Sequence, residues 1–464
     1  MRKKMGSLKS IIREHRWAGI ILAAVLILRL AAFLAVYAGG ETDRFAEPDT
    51  GGYERSALAL AENGRFTLSP ESKEPMLKRT PGYPVYLAAV YLVFGYGRFW
   101  PVFFQIILSG LIVLLVYRIA EPMGSRRAAL AAAVFAAIDS IQFYYSQIVL
   151  TETFFSLFIT LGLFFALRFY LEDTRKPLMC GFFGLCLAAA TLIRPVSYYL
   201  PVPIALGVVF TYRAAGLSAR ELVSSLLLFF LPLLLFVGGW QLRNTAAADL
   251  HHISSITGIN MYNYRAAEIV ARRESISFDE ARDLLRSRLP EQFEQWSAGA
   301  QNEYLLDEAG RIIGGHKGTY GKIMLMGMVR MLADPGDSAV VRYLTGDTGY
   351  TGRFGDLFCL SPADYFEKWI KGAPLRFFYF AAALLLLAVL YLAALYGSIA
   401  SWPRSPRLRI FFALLIGTGL YFLLVSAGPE SYARFRMSFS SILYIFAGIG
   451  VSRLLDKRGS RKGK

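Results

Sequence analysis

Apolar runs about as long as a lipid bilayer is thick recur along this chain and limit what it can fold into. Crossing ~30 Å of hydrocarbon takes roughly 20 helical residues. Runs of that kind recur from Trp17 almost to the end of the 464-residue sequence. One crossing per run places spans near 17–38, 102–118, 128–145, 149–168, 178–193, 197–212, 221–240, 374–398, 409–427 and 437–453. A chain that is 55% hydrophobic and 14% aromatic is not a soluble domain. The expected fold class is an all-α polytopic membrane protein with about ten transmembrane helices. The first run, Trp17–Tyr37, has a basic flank like a secretory signal, but exceeds the apolar core of about 7–15 residues typical of one, and is read as a retained span.

The net charge of +16 raises nucleic acid as a partner, and the placement of the charges answers it. Arg2, Lys3, Lys4, Lys9, Arg13 and Arg16 precede the first run, and Arg453, Lys457, Arg458, Arg461, Lys462 and Lys464 follow the last. Short links carry Arg118, Arg126 and Arg127, then Arg168, Arg175 and Lys176, then Arg213 and Arg220, then Arg404, Arg407 and Arg409. By the positive-inside rule all of these are cytoplasmic, both termini included, and no nucleic acid is needed to explain the charge. The expected organisation is an N-terminal membrane module over 1–240 with a first outer loop at 39–100. A mainly helical outer segment at 241–373 follows, then C-terminal helices and a basic tail at 374–464. Segment 82–97 is too short to cross and begins with Pro81, Gly82 and Pro84, so it reads as a re-entrant or interfacial helix. Cys180, Cys186 and Cys359 form neither a metal-ligand spacing nor a disulfide framework, and His15, His251, His252 and His316 make no zinc motif.

The first loop gathers carboxylates, aromatics and cations close to the outer end of the first span. It reads Glu41-Thr42-Asp43-Arg44-Phe45-Ala46-Glu47-Pro48-Asp49-Thr50-Gly51-Gly52-Tyr53, and later Lys78-Arg79-Thr80-Pro81-Gly82-Tyr83-Pro84. Pro48-Asp49 also reads simply as a helix start with Asp49 as N-cap. Leu150-Thr151-Glu152-Thr153-Phe154 stands at the outer end of a span, where Glu152 reads either as a site acid or as an N-cap or water-exposed carboxylate. Ile193-Arg194-Pro195 marks the next outer boundary, where Arg194 either meets an anion or snorkels to the interface. Trp240-Gln241-Leu242-Arg243-Asn244 closes the seventh span, with Ser255-Ile256-Thr257-Gly258-Ile259-Asn260-Met261-Tyr262 beyond it. Glu430-Ser431-Tyr432-Ala433-Arg434-Phe435-Arg436 precedes the last span.

In this order the motifs resemble the polyprenyl-phosphate-dependent membrane glycosyltransferases of the GT-C fold, the group of the protein O-mannosyltransferases and lipid A aminoarabinose transferases. Asp49, Tyr53 and Gly64 match that family's first-loop pattern, and Arg79 to Tyr83 its Arg/Lys-x-Pro-x-Tyr segment. Residues 430–436 resemble its Ala-Arg-Tyr-Arg signature, with Met437-Ser438 where relatives usually have proline. The resemblance implies transfer of a sugar from a polyprenyl-phosphate donor to a lipid, glycan or protein acceptor on the outer face. Asp49 would be the general base, Glu152 a second site acid, and Arg79, Arg194, Arg434 and Arg436 would hold the donor phosphate. Tyr53, Tyr83, Arg243, Asn244 and Glu430 would contact substrate. A divalent ion between Asp49 and Glu152 stays open, because relatives differ in metal use. There is no Asp-x-Asp pair, no phosphate-cradling glycine loop and no soluble α/β segment for a nucleotide sugar. The competing classes are a polysaccharide polymerase or ligase, and a flippase or transporter. The latter concentrates ionisable groups near the midplane, whereas here Asp49, Arg79, Glu152, Arg194, Arg243, Glu430, Arg434 and Arg436 all fall on one face of a topology derived from charge alone.

Overall fold

A computed structural model describes residues 15–171, 176–215, 218–347, 361–365, 367 and 374–462. Arg2, Lys3, Lys4, Lys9, Arg13, Arg175, Cys359 and Lys464 lie outside the described residues. The described chain is helical, and its one β contact is an isolated bridge between Thr67 and Pro75.

Among the described residues eight helices are long and apolar enough to span a membrane. We label as α1 Arg16–Ala38, as α2 Thr50–Asn63, as α3 Gly82–Phe94 and as α4 Phe99–Met123. Next come α5 Arg126–Ile138, α6 Ser140–Gln147, α7 Glu152–Leu171 and α8 Lys176–Ile193. After α9, Pro201–Ala215, the long apolar helix Ala219–Ala248 is α10. The last three are α11 Pro374–Ala400, α12 Pro406–Val425 and α13 Ser440–Lys462.

Three features differ from the sequence expectation. The run expected at 128–145 is a bent pair: α5 and α6 meet at 55° and pass as a ninth span only together. The break is at Asp139, whose backbone is extended and whose Oδ1 accepts from the Ile141 N–H at 2.8 Å, so the side chain replaces the missing helical partner and restarts the helix. The run expected at 437–453 lies in α13, which carries Arg453, Asp456 and Lys457 and so does not qualify as a span by composition. Its apolar half is nonetheless buried at Ile442, Tyr444, Ile445, Phe446, Ala447 and Ile449. Finally, α10 does not stop at Trp240 but runs to Ala248, where Asp249 turns left-handed at φ 55°. Pro232, which lacks an N–H to donate, is accommodated by a wider turn over Leu233–Gly238.

Small residues let α13 sit at backbone distance from two neighbours. A Cβ on Gly448 would lie 2.3 Å from the Ala128 carbonyl oxygen of α5, and one on Gly450 would lie 2.1 Å from that of Ala393 in α11. The facing stripe of α5, Ala128, Ala129, Ala132, Ala133 and Ala136, is fully buried. In lipid, where apolar association gains nothing from water, such close packing is what holds helices together.

The apolar helix α3 has 13 residues, too short to cross. Between α10 and α11 the described residues are mainly short helices. One set packs around Tyr262, Ala266, Val270, Leu285, Phe293 and Leu305. A further helix, Asp337–Thr345, packs back onto the first loop through Tyr343, whose ring lies 6.0 Å from that of Phe45.

Candidate active site

Two buried hydrogen bonds to backbone carbonyls bring the first loop to the start of α7. Thr50 Oγ1 donates to the Val149 carbonyl at 3.0 Å, and the Val149 N–H donates to the Phe45 carbonyl at 2.9 Å. They set Asp49 close to Glu152. A further tie, from Thr80 Oγ1 to the Ile193 carbonyl at 3.1 Å, joins the Arg79 segment to the Arg194 segment. Gly82 makes that junction possible, since a Cβ there would lie 2.8 Å from the Leu192 carbonyl and from Ile193 Cγ1. Arg98 grips Glu54 with two hydrogen bonds of 2.7 and 2.9 Å and fixes α2 against the start of α4.

These ties assemble one continuous ion network. Arg79 Nη2 donates to Asp49 Oδ1 at 2.6 Å, and Arg434 Nη1 donates to Asp49 Oδ2 at 2.9 Å. Arg434 Nε also donates to Glu152 Oε1, and Arg194 Nη1 donates to the same oxygen at 2.5 Å. Three guanidinium groups thus face two carboxylates, an excess of one positive charge. The Arg79 guanidinium lies over the Tyr53 ring at 4.7 Å, and Arg194 lies between the Phe155 and Phe435 rings at 5.7 Å from each.

Asp49 occupies the N-cap position of α2, but its side chain makes no capping hydrogen bond and turns to the arginines. Glu152 is fully buried, not in water, while the Asp49 side chain is 36% exposed. Arg194 points at Glu152 and is only 14% exposed, which is not the geometry of a snorkelling residue. Burial works to raise the Asp49 carboxyl pKa, yet Arg434 and Arg79 outweigh it and hold the group well below the ordinary carboxylate range.

Other residues singled out from the sequence lie outside this network. Tyr83 is fully buried, packs edge-on against Tyr53 at 5.4 Å and donates its hydroxyl to Gln105 Oε1 at 2.5 Å, so it backs the site from behind. Arg243 donates to the Met76 and Phe66 carbonyls at 3.2 and 3.0 Å, and Asn244 Nδ2 donates to the His252 and Ile253 carbonyls at 3.0 Å. Arg243 braces the segment leading to Lys78 and Arg79, as does Ser254 Oγ, which donates to the Lys78 carbonyl at 2.7 Å, while Asn244 ties the end of α10 to the loop that carries Ser254. Arg436 is buried and donates to the Met331 and Asp334 carbonyls at 3.0 and 2.7 Å, sharing no hydrogen bond with the cluster. Glu430 pairs with Arg265 at 3.4 Å. The turn Ala433–Arg436 continues helically through Met437, at φ −52° and ψ −31°.

Sequence reasoning passed over four neighbours. Tyr432 Oη lies 3.5 Å from Arg434 Nη1, and the exposed Lys78 side chain interacts electrostatically with Asp49 and Arg79. Arg342 and Tyr144 both donate to Glu47 Oε1, two residues before Asp49. Glu47 was visible as a loop carboxylate, but nothing local to it announced a partner 295 residues away.

A divalent ion does not fit the residues as arranged. Among the described residues no three His, Cys, Asp or Glu side chains converge, and Arg434 lies between the two carboxylates proposed as ligands.

Residues 78–240 match the family described as dolichyl-phosphate-mannose-protein mannosyltransferase. Comparison with curated proteins finds no match. Among solved structures, the oligosaccharyltransferase of Archaeoglobus fulgidus in the apo form superposes with a TM-score of 0.55 at 13% identity, over 96% of this chain and 51% of that one. The same archaeal enzyme in complex with an inhibitory peptide and a dolichol-phosphate gives 0.52 at 14% identity, over 97% and 52%. ArnT from Cupriavidus metallidurans in the apo state gives 0.37 at 12% identity, over 91% and 77%. The chain spans about half the length of the oligosaccharyltransferase. The chain is a multi-pass membrane protein of the GT-C fold, and its residues 78–240 match the mannosyltransferase family model.

Proposed function

We propose that this protein moves a sugar from a polyprenyl-phosphate carrier to an acceptor on the outer face of the membrane, with inversion at the anomeric carbon. The observation that carries the reading is the network of Asp49, Glu152, Arg79, Arg194 and Arg434, drawn from five distant segments and carrying a positive excess. A sugar phosphodiester already holds a good leaving group, so the chemistry needs a base for the acceptor and cations for the departing phosphate. Asp49, the carboxylate reachable from solvent, accepts the proton of the attacking acceptor hydroxyl. Arg79, Arg194 and Arg434 stabilise the charge that grows on the phosphate oxygens, which their planar guanidinium groups suit. Glu152 is the buried counter-charge that keeps Arg194 and Arg434 in place. Arg436, committed to backbone carbonyls, is dropped from the phosphate set, and Arg243, Asn244 and Tyr83 support the site without touching substrate.

The dolichol-phosphate bound to the archaeal oligosaccharyltransferase supports a lipid-linked donor here. The basic links between spans support an outward-facing site with cytoplasmic termini. Segments 39–100 and 241–373 then form the catalytic loop and a cap. The test is sugar transfer from a panel of radiolabelled polyprenyl-phosphate sugars, with purified wild type and Asp49→Asn in membranes containing candidate acceptors. Transfer by wild type and its loss in the variant are expected. Full transfer by a folded Asp49→Asn protein would sink the assignment of the base. No turnover of any lipid-linked sugar by intact protein would sink the reading itself, in favour of a polymerase or flippase.

A further inference from the structure

We propose that Asp49 is a built-in stand-in for the donor phosphate: it occupies Arg79 and Arg434 until a phosphate group displaces it, and the exchange both seats the carrier and releases the carboxylate for use. The inference rests on the reading above and adds to it an order of events.

The two carboxylates are held differently. Glu152 is fully buried and shares one oxygen between Arg194 and Arg434. Moving it would strand two guanidinium groups in a site where they are 14% and 12% exposed and solvent cannot take its place. Asp49 is more than a third exposed, and water can follow it out. Among the described residues its carboxylate accepts only from Arg79 and Arg434 and makes no capping bond. One carboxylate is therefore fixed and the other is held only by the side chains a phosphate would seek.

The receiving side is also prepared. A guanidinium fork accepts carboxylate and phosphate oxygens with the same geometry, so Arg79 and Arg434 can pass from one anion to the other with little movement. Lys78 adds a cation beside them, with no hydrogen-bond or ion-pair partner for its ammonium among the described residues. A phosphodiester brings one negative charge, which replaces the charge of Asp49 on the arginines.

The exchange explains how a carboxylate held so far into its ionised range can act as a base. While paired with both arginines, Asp49 is a weak acceptor of protons. Once the phosphate takes the arginines, the carboxylate returns toward ordinary basicity, at the moment the donor is in place. Without donor the site holds no competent base.

The test is binding of farnesyl phosphate, a prenyl phosphate with no sugar, to the purified full chain in detergent by titration calorimetry. Asp49→Asn removes the competing anion, so the variant is expected to bind about tenfold more tightly than wild type, the scale of one charge-assisted hydrogen bond that need not be broken. Lys78→Ala is expected to weaken binding. Equal or weaker binding by a folded Asp49→Asn variant overturns the exchange while leaving the lipid-phosphate reading intact. Absence of binding by both proteins removes that reading and the exchange together. A measurement on wild type covers the case of a misfolded variant. Carbodiimide labelling of Asp49, read by mass spectrometry, should rise when farnesyl phosphate is added, and unchanged or reduced labelling overturns the proposal.

Discussion

Replacing Glu152 by alanine removes the anion that Arg194 and Arg434 share deep in the protein. Glu152 has no exposed surface, and the two arginines are 14% and 12% exposed, so solvent cannot compensate them. Removing one partner of a buried ion pair costs about 3–5 kcal/mol. Arg434 keeps Asp49 as a second partner, so the lower end, about 3 kcal/mol, is expected. Glu152→Gln preserves the shape and one acceptor oxygen but loses the charge, and about half that loss is expected. Coupling separates this account from a mere cavity. Adding Arg194→Ala removes the stranded cation, so the double variant is expected to be less destabilised than the sum of the two singles by at least about 1 kcal/mol. The assay is reversible unfolding in dodecylmaltoside with graded dodecyl sulfate, followed by tryptophan fluorescence. A Glu152→Ala variant within about 1 kcal/mol of wild type, or strictly additive singles, would refute the reasoning.

Gly82→Ala tests the junction between α3 and the end of α8. The added Cβ meets backbone at 2.8 Å, so a loss of about 1–3 kcal/mol is expected in the same unfolding assay, together with weaker prenyl phosphate binding as Arg79 and Arg194 are pushed apart. The pH dependence follows from Asp49. Its carboxyl is held in the folded protein below its ordinary value of 3.8, so its stabilisation is fully present above that value and is lost as pH falls through the depressed one. The stability difference between wild type and Asp49→Asn is therefore expected to be flat from neutral pH to near that ordinary value and to shrink only below it. A difference that disappears between about pH 7 and 5 would contradict it.

Much of the architecture was legible because apolar length and charge placement are one-dimensional properties. Three departures came from what hydropathy does not measure. Asp139 breaks a span by taking over a backbone hydrogen bond, and α10 outlasts its apolar run because Thr245-Ala246-Ala247-Ala248 continues a helix as well in water as in lipid. In α13 the charges follow directly on the buried stretch, so composition alone gives no clean span. The site was legible as a set of charged residues on one face, but not as a geometry. Arg434 and Arg436 look alike in sequence, yet two residues along a helical turn point about 200° apart, so one meets the carboxylates and the other meets backbone carbonyls. Arg243 and Glu430 looked equally suited to substrate, and only long-range contacts show that one braces the first loop and the other pairs with Arg265.

The separation of the two ends of the network has a consequence in time. Asp49 and Arg434 are 385 residues apart in sequence, and Glu152 and Arg434 are 282 apart. At about 5–20 residues per second, roughly 20–80 s of synthesis pass between the appearance of Asp49 and that of Arg434. Until Arg434 is made, Glu152 can have Arg194 as its counter-ion once that residue appears, and Asp49 can have Arg79 alone. A ribosome-bound intermediate therefore carries an unfinished cluster, and the last of the cluster's five segments to be made is the one that locks the earliest loop into register.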